Sequence, residues 1–227
     1  MCPAVSSPDP ELDSALPVVA IIGGTGRLGS ALARRWVEAG YRVVIGSRTP
    51  ARAREAARTL GAAGGSIAEA VLASEVVMLA VPYACHDALL AEIDDTLDGR
   101  ILLEPVVPVD PADPTRALAV PGGSVAAAAQ ARLGRGVRVV AAFQTVAAKH
   151  LRSDAARLDM DVLVCGNDRS ACRLVLHLVE AAGLRGWLAG PIANAAASEA
   201  LAPVLRHLNR EYGLGGAGLR VVAPGRS

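Results

Sequence analysis

A glycine-rich turn near the N-terminus carries residue types whose spacing suits phosphate binding. It reads Gly24-Thr25-Gly26-Arg27-Leu28-Gly29. In such turns the first glycine permits a tight bend, the second lets a pyrophosphate approach the backbone, and the third lets the next helix pack closely on the preceding strand. The first amide groups of that helix then face the phosphates. The turn therefore predicts a dinucleotide site, and a glycine turn without a ligand is the alternative.

The residues that follow the second apolar segment indicate which dinucleotide would bind. A site for NAD usually has Asp or Glu there, about 20 residues after the turn, to accept hydrogen bonds from the ribose. This chain instead has Ser47 and Arg48, followed by Arg52. A hydroxyl and a guanidinium both bind a 2′-phosphate well. The pattern favours NADP(H), with Arg52 either a second cation at the phosphate or part of a solvated helix face.

The elements that must position these residues follow from the hydrophobic pattern. From residue 18 onward, short apolar segments alternate with amphipathic ones, as in a parallel sheet covered by helices. The predicted strands of the N-terminal part cover residues 18–22, 43–45, 76–81, 101–103 and 137–142. The predicted helices cover residues 28–39, 50–60, 83–93 and 125–133, the second of them with Thr49 as N-cap and Pro50 as first residue. This is the pattern of a doubly wound, Rossmann-type α/β fold.

The same alternation continues on a smaller scale beyond residue 150. The predicted elements are a strand at 162–165, a helix at 170–182, a strand at 184–188, a long helix at 194–212 and a strand at 219–222. We therefore expect a flexible tail, an NADP-binding Rossmann domain and a small C-terminal α/β domain that closes the substrate cleft. Their predicted bounds are 1–16, 17–150 and 151–227. One continuous sheet through both parts is the alternative.

Composition argues against several other classes of function. The formal net charge is +1 and aromatic residues make up 3% of the chain, so nucleic-acid binding lacks both an electrostatic field and stacking surfaces. No apolar stretch approaches the length of a membrane span, and the N-terminus lacks the features of a signal peptide. The cysteines and histidines show no metal-ligand spacing. We expect a cytoplasmic protein that holds no metal and acts on a small molecule.

Several short segments, spread over nearly the whole chain, carry a family resemblance. Besides the glycine turn and Ile45-Gly46-Ser47-Arg48, they are Val81-Pro82-Tyr83, Pro105-Val106-Val107-Pro108, Val164-Cys165-Gly166-Asn167-Asp168 and Gly190-Pro191-Ile192-Ala193-Asn194. In order and spacing these segments resemble the NADPH-dependent coenzyme F420 reductases. The first two are shared by many NADP enzymes, and the later ones are more specific.

The resemblance implies hydride exchange between C4 of the nicotinamide and C5 of the 5-deazaflavin coenzyme F420. Both reacting centres belong to cofactors, so the reaction needs alignment more than acid–base side chains, and no catalytic residue is expected. The implied pyrophosphate contacts are Thr25, Gly26, Arg27 and Leu28, and those of the 2′-phosphate are Ser47, Arg48 and Arg52. Along the cofactor the implied contacts are Val81, Pro82 and Tyr83, and on the deazaflavin side they are Val107, Pro108, Gln144 and Val146.

Two residues depart from the family pattern on the side of the second substrate. After the sixth strand the family commonly has His or Asn, then Thr, an aliphatic residue and Pro, whereas this chain has Gln144 and ends the motif with Ala147. A glutamine donates and accepts hydrogen bonds but does not titrate, so Gln144 is a candidate orienting group. Two further functions stay open: NADPH-dependent reduction of another small molecule, such as an imine or enone, and non-enzymatic NADP(H) binding. We also expect a homodimer formed through the apolar C-terminal helix.

The remaining titratable residues give little indication of chemistry. The histidines, His86 among them, are expected at the surface or packed against helices. Glu104 follows a predicted strand. We expect it to be a solvated strand end, with a pocket group as the alternative.

Overall fold

The computed structural model describes residues 16–222. The predicted tail at residues 1–16 lies outside the described residues, apart from Leu16. Between residues 16 and 222, we find no helix that combines the length and hydrophobicity of a membrane span.

Within residues 16–222, eight strands form one sheet. They are β1 (Val19–Ile22), β2 (Val43–Gly46), β3 (Ala63–Gly65), β4 (Val76–Leu79), β5 (Ile101–Glu104), β6 (Arg138–Ala141), β7 (Asp161–Gly166) and β8 (Arg185–Leu188). Their order is β3-β2-β1-β4-β5-β6-β7-β8. All neighbours pair in parallel except β6 and β7. The chain order reverses between β1 and β4, and in open α/β sheets ligands bind at the carboxyl ends of the strands beside such a point.

Helices cover both faces of the sheet. They are α1 (Arg27–Glu38), α2 (Pro50–Leu60), α3 (Ile67–Leu72), α4 (Tyr83–Ile93), α5 (Val125–Leu133), α6 (Ala148–Leu151), α7 (Arg169–Ala181) and α8 (Ala195–Glu211). Short 3-10 helices lie at Asp94–Thr96 and Ile192–Asn194. The predicted Rossmann-type α/β fold is confirmed, and the confirmed elements begin and end within two residues of their predicted limits.

The strands alternate their side chains between two apolar layers, as the two-residue period of a strand requires. Val19 and Ile21 of β1 pack in the layer that holds Trp36 of α1. Ala20 and Ile22 face the opposite layer, which α3, α4 and α5 close. Burial of one large aliphatic or aromatic side chain stabilises the fold by roughly 1.5–3 kcal/mol. Both layers therefore hold β1 and β4 in place, and these strands carry the residues of the cleft at their ends.

The structure corrects the sequence interpretation in two respects. Residues 219–222 do not form the predicted strand; they lie beside the start of β7, where the Asp161 N–H donates to Leu219 O at 2.8 Å and the Asp161 carboxylate accepts from the Val221 N–H at 2.7 Å. Strand β3 and the short helices α3 and α6 were not predicted, because β3 is a glycine-rich edge strand and the two helices span only six and four residues. One sheet contains strands from both sides of residue 150, as in the alternative of a continuous sheet. The division into two domains stays a prediction.

Candidate active site

The glycine turn lies between β1 and α1, where Gly29 packs tightly on the preceding residues. A Cβ atom at Gly29 would lie 2.7 Å from Gly23 O and 2.9 Å from Gly24 Cα, and one at Gly24 would lie 2.9 Å from Ile45 Cγ2. Gly26 is the N-cap of α1, where no side chain caps the helix and no acidic residue occupies the first turn. The first amide groups of α1 are therefore open to an anion, as a pyrophosphate site requires.

A cavity of about 360 Å³ opens beside this turn at the carboxyl end of β2. Thr25, Ser47 and Arg48 are among the residues that line it. The Ser47 hydroxyl accepts a hydrogen bond from the Thr49 N–H at 3.1 Å, so its own O–H remains available to donate. Arg52 is exposed in the first turn of α2 and does not line the cavity. The structure thus brings together the hydroxyl and guanidinium of Ser47 and Arg48, and their role as phosphate ligands stays a prediction.

A larger cavity of about 840 Å³ lies at the carboxyl ends of β4, β5 and β6. Its lining includes the turn residues Arg27 and Leu28 and most of the residues predicted for the nicotinamide and deazaflavin side, namely Val81, Pro82, Tyr83, Val107, Gln144 and Val146. Pro108 is buried and is not part of the lining. Val81 and Ala84 line both cavities. The two cavities therefore adjoin, one at the predicted 2′-phosphate ligands and the other at Gln144.

Gln144 lies on the loop after β6, where the backbone has an unusual conformation. Phe143 has a φ of 73°, the one positive φ of a non-glycine residue between residues 16 and 222. Its ring packs edge-on against Trp36 with centroids 6.0 Å apart, and the Trp36 indole donates to Leu178 O at 2.8 Å. The buried Gln144 amide donates from Nε2 to Glu104 O at 2.8 Å. Because packing and hydrogen bonding hold a residue in a sparsely populated conformation, the loop keeps one shape.

Next to Gln144, the side chain of Glu104 forms a buried pair with His86. His86 Nε2 lies 3.0 Å from Glu104 Oε1, and the two side chains are 2% and 1% exposed. Burial opposes the charged imidazolium, but the hydrogen bonds and charges of Glu104 and Asp87 outweigh it and raise the pKa of His86 to about 9. Burial also raises the pKa of Glu104, against the opposing effect of His86. Both directions mean that the pair retains one proton and no net charge through neutral pH.

This pair corrects the expectation that Glu104 is a solvated strand end. Helix α4 covers the end of β5 and places His86 against the carboxylate, whose second oxygen has no hydrogen-bond partner among the described residues. The pair was not predicted from the sequence. The signal lay in the helical spacing of His86 with Leu89, Leu90 and Ile93, which together form the buried face of α4.

Three basic residues in the wall of the larger cavity were also absent from the predicted site: Lys149, Arg152 and Arg206. Lys149 belongs to α6, Arg152 is its C-cap, and Arg206 lies on α8. More than 50 residues separate Arg206 from the other two, so no local motif marks the group.

Comparisons with known proteins extend over nearly the whole chain. Residues 18–108 match a family described as NADP oxidoreductase, coenzyme F420-dependent. The F420-dependent NADP reductase of Methanothermobacter marburgensis is 33% identical over 217 residues, covering 89% of this chain and 97% of that protein. The enzyme of the same name from Methanocaldococcus jannaschii is 34% identical over 218 residues, with coverage of 89% and 97%.

A solved structure agrees with these relatives at the level of the fold. A proposed F420-dependent NADP reductase of an Arthrobacter species superimposes with a TM-score of 0.80 at 24% identity, covering 91% of this chain and 100% of that one. The two proteins therefore share one fold, which includes the strands and helices that carry both cavities. The sequence matches to the Methanothermobacter and Methanocaldococcus enzymes cover 89% of this chain and 97% of each relative. The chain therefore belongs to the family of F420-dependent NADP reductases.

Proposed function

We propose that this protein transfers a hydride between NADP(H) and coenzyme F420. The observation that carries the proposal is the junction of the two cavities at Val81 and Ala84. A dinucleotide that begins at Arg48 and crosses the glycine turn would end in the larger cavity, which leaves room there for a second ring system. The family relationship supports deazaflavin as that ring system, because both curated relatives are named for F420 and NADP.

The glycine turn and the start of α1 fit a pyrophosphate. Gly24 and Gly29 have no side chain, and the first amide groups of α1 are not capped by a side chain. We propose that Thr25, Gly26, Arg27 and Leu28 hold the pyrophosphate and that Ser47, Arg48 and Arg52 hold the 2′-phosphate. Val81, Pro82 and Tyr83 would follow the cofactor into the larger cavity.

On the opposite side of the larger cavity, the residues offer apolar surface and one oriented amide. Val107 and Val146 would pack on the deazaflavin, and Gln144 would orient it through a hydrogen bond. The buried Pro108 would act indirectly, by fixing the backbone beside Val107. When bound, the two cofactors would supply the redox chemistry: NADPH would give up a hydride and become NADP⁺, and F420 would take up that hydride together with one proton from water. The protein residues align the two rings and exclude water from the space between them. The hydrogen bond to Glu104 O fixes Gln144 for this positioning task.

The direct test mixes purified protein, NADPH and oxidised F420 and follows the absorbance of the deazaflavin. Bleaching that depends on all three components supports the proposal. Absence of bleaching, with NADPH binding confirmed by fluorescence titration, would overturn it and favour reduction of another acceptor such as an imine or enone. If no acceptor is reduced although NADPH binds, the chain is a non-enzymatic NADP(H)-binding protein.

Replacing Arg48 by alanine should weaken NADP(H) binding selectively. A hydrogen bond to a charged group contributes about 1.5–3 kcal/mol, so the Kd for NADPH should rise about tenfold to hundredfold. The Kd for NADH should change little, because NADH has no phosphate at this position. Fluorescence titration of both cofactors measures the selectivity, and Arg58→Ala, at the other end of α2, controls for the loss of one charge. Equal weakening of NADPH and NADH would refute the phosphate role.

We further propose that the protein is a cytoplasmic homodimer. Exposed apolar residues on α8 and at its end support the dimer, since Val204 and Tyr212 are 50% and 69% exposed. The free thiols of Cys85, Cys165 and Cys172 support a reducing compartment. Light scattering over a range of protein concentrations measures the oligomeric state, and a monomer at every concentration would contradict the proposed dimer.

A further inference from the structure

The wall of the larger cavity carries a concentration of positive charge. Its lining contains four basic residues, Arg27, Lys149, Arg152 and Arg206, and no aspartate or glutamate. The whole chain, by contrast, is almost neutral, with a formal net charge of +1. The charge of this cavity is therefore a local property of the wall.

Three of these cations, Lys149, Arg152 and Arg206, have no acidic partner among the described residues. Elsewhere arginines are commonly paired: Arg210, one turn further along α8 than Arg206, contacts Asp113 at 3.3 Å. All three side chains are exposed, and the protein atoms around Arg206 lower its pKa. Like charges that line one cavity repel one another, and an anion bound among them would relieve that repulsion.

The segment that carries Lys149 and Arg152 is fixed to the helix of the glycine turn. The buried guanidinium of Arg35 in α1 donates to three main-chain oxygens of this segment, Leu151 O at 2.9 Å, Ser153 O at 2.7 Å and Ala155 O at 2.8 Å. The two charges therefore project from a rigid support, which lowers the entropic cost of holding an anion.

We infer that Lys149, Arg152 and Arg206 bind the anionic side chain of the second substrate. This inference rests on the proposed function. Coenzyme F420 is a deazaflavin whose side chain ends in a phosphodiester and ionised carboxylates, whereas its ring is largely apolar. The apolar wall at Val107 and Val146 suits the ring, and the three cations suit phosphate and carboxylate groups. These cations make the protein select the charged coenzyme over a deazaflavin without the charged groups.

The test compares initial rates with F420 and with the deazaflavin riboside that lacks the phosphate and the glutamyl groups. At low ionic strength kcat/KM for F420 should exceed that for the riboside by more than about tenfold, and the ratio should fall as salt is raised. In Arg206→Gln the ratio should fall about threefold to tenfold, through KM for F420 rather than kcat. Arg42→Gln removes one charge just before β2, at the opposite end of the strands from the cavity, and should keep the wild-type ratio.

The outcomes separate this inference from the proposed function. Equal kcat/KM for F420 and the riboside at low salt would overturn the inference and leave the hydride-transfer function standing. Reduction of neither substrate would overturn the proposed function itself. If Arg206→Gln raises the Kd for NADPH and leaves the ratio unchanged, the cation serves the dinucleotide and the inference is wrong.

Discussion

Replacing Glu104 by alanine is expected to lower the free energy of unfolding by about 3 kcal/mol at neutral pH. The substitution leaves the imidazole of His86 buried without its partner, and removing one member of a buried pair typically costs about 3–5 kcal/mol. We expect a loss at the lower end of this range, because the buried imidazole can release its proton and become neutral. Asp87→Ala is the matched control, because Asp87 contacts the other nitrogen of His86 at 3.0 Å while its side chain is 86% exposed. That change should cost less than about 1 kcal/mol. Chemical denaturation measures both, and equal losses would contradict the buried role of Glu104.

The same pair predicts how stability depends on pH. The folded pKa of His86, about 9, lies above its ordinary value of 6.5. A group that holds its proton more tightly in the folded state contributes fully below the unfolded pKa and loses that contribution as pH rises through the folded pKa. The loss between these limits should be on the order of 3 kcal/mol. In Glu104→Gln, which keeps the shape but not the charge, this alkaline decline should flatten. Denaturation curves across that pH range measure the slope, and parallel slopes for both proteins would refute the assignment.

Replacing Gly29 by valine is expected to remove most of the affinity for NADP(H). Already the Cβ atom would lie 2.7 Å from Gly23 O, and because this neighbour is backbone, the turn and the start of α1 must separate. Overpacking costs about 1–3 kcal/mol. If the bound state bears this cost, the Kd rises about fivefold to 150-fold. Fluorescence titration with NADPH measures the loss. Ser30→Ala, at the next position of α1, should bind as the wild type does, and a Gly29→Val protein with wild-type affinity would show that close packing of this turn is dispensable.

The order and limits of most elements follow from sequence because both apolar layers impose a regular pattern. Strands such as β1 are buried on both faces and read as continuous apolar segments, which the sequence shows directly. Strand β3 lacks this pattern, since Ala63, Gly64 and Gly65 carry almost no apolar surface. These residues form a strand because they pair with the free edge of β2. The predicted strand at 219–222 fails for the opposite reason. Its composition suits a strand, but it contacts β7 through few hydrogen bonds and forms no ladder.

The candidate site divides in the same way between local and long-range features. The glycine turn and Ser47-Arg48 are local motifs with fixed places relative to a strand end, so their positions beside one cavity could be predicted. The pair of His86 with Glu104 joins residues 18 positions apart on different elements, and its strength depends on burial that no local pattern measures. Lys149 and Arg206 line the same cavity because α6 and α8 both border it. The positive charge of this cavity therefore depends on the fold and could not be predicted from a local motif.

The strained residue before Gln144 bears on which side chains of this loop can be exchanged. Phe143 is held at its φ of 73° by the ring of Trp36, and the indole of Trp36 is itself anchored on α7. The shape of the loop is thus imposed from behind, by residues that do not face the second substrate. Exchanging the side chain of Ala147, which lines the larger cavity, would therefore leave the backbone of the loop in place. A change at Gln144 would also remove its hydrogen bond to Glu104 O, so Ala147 is the position at which this wall of the cavity can change on a constant scaffold.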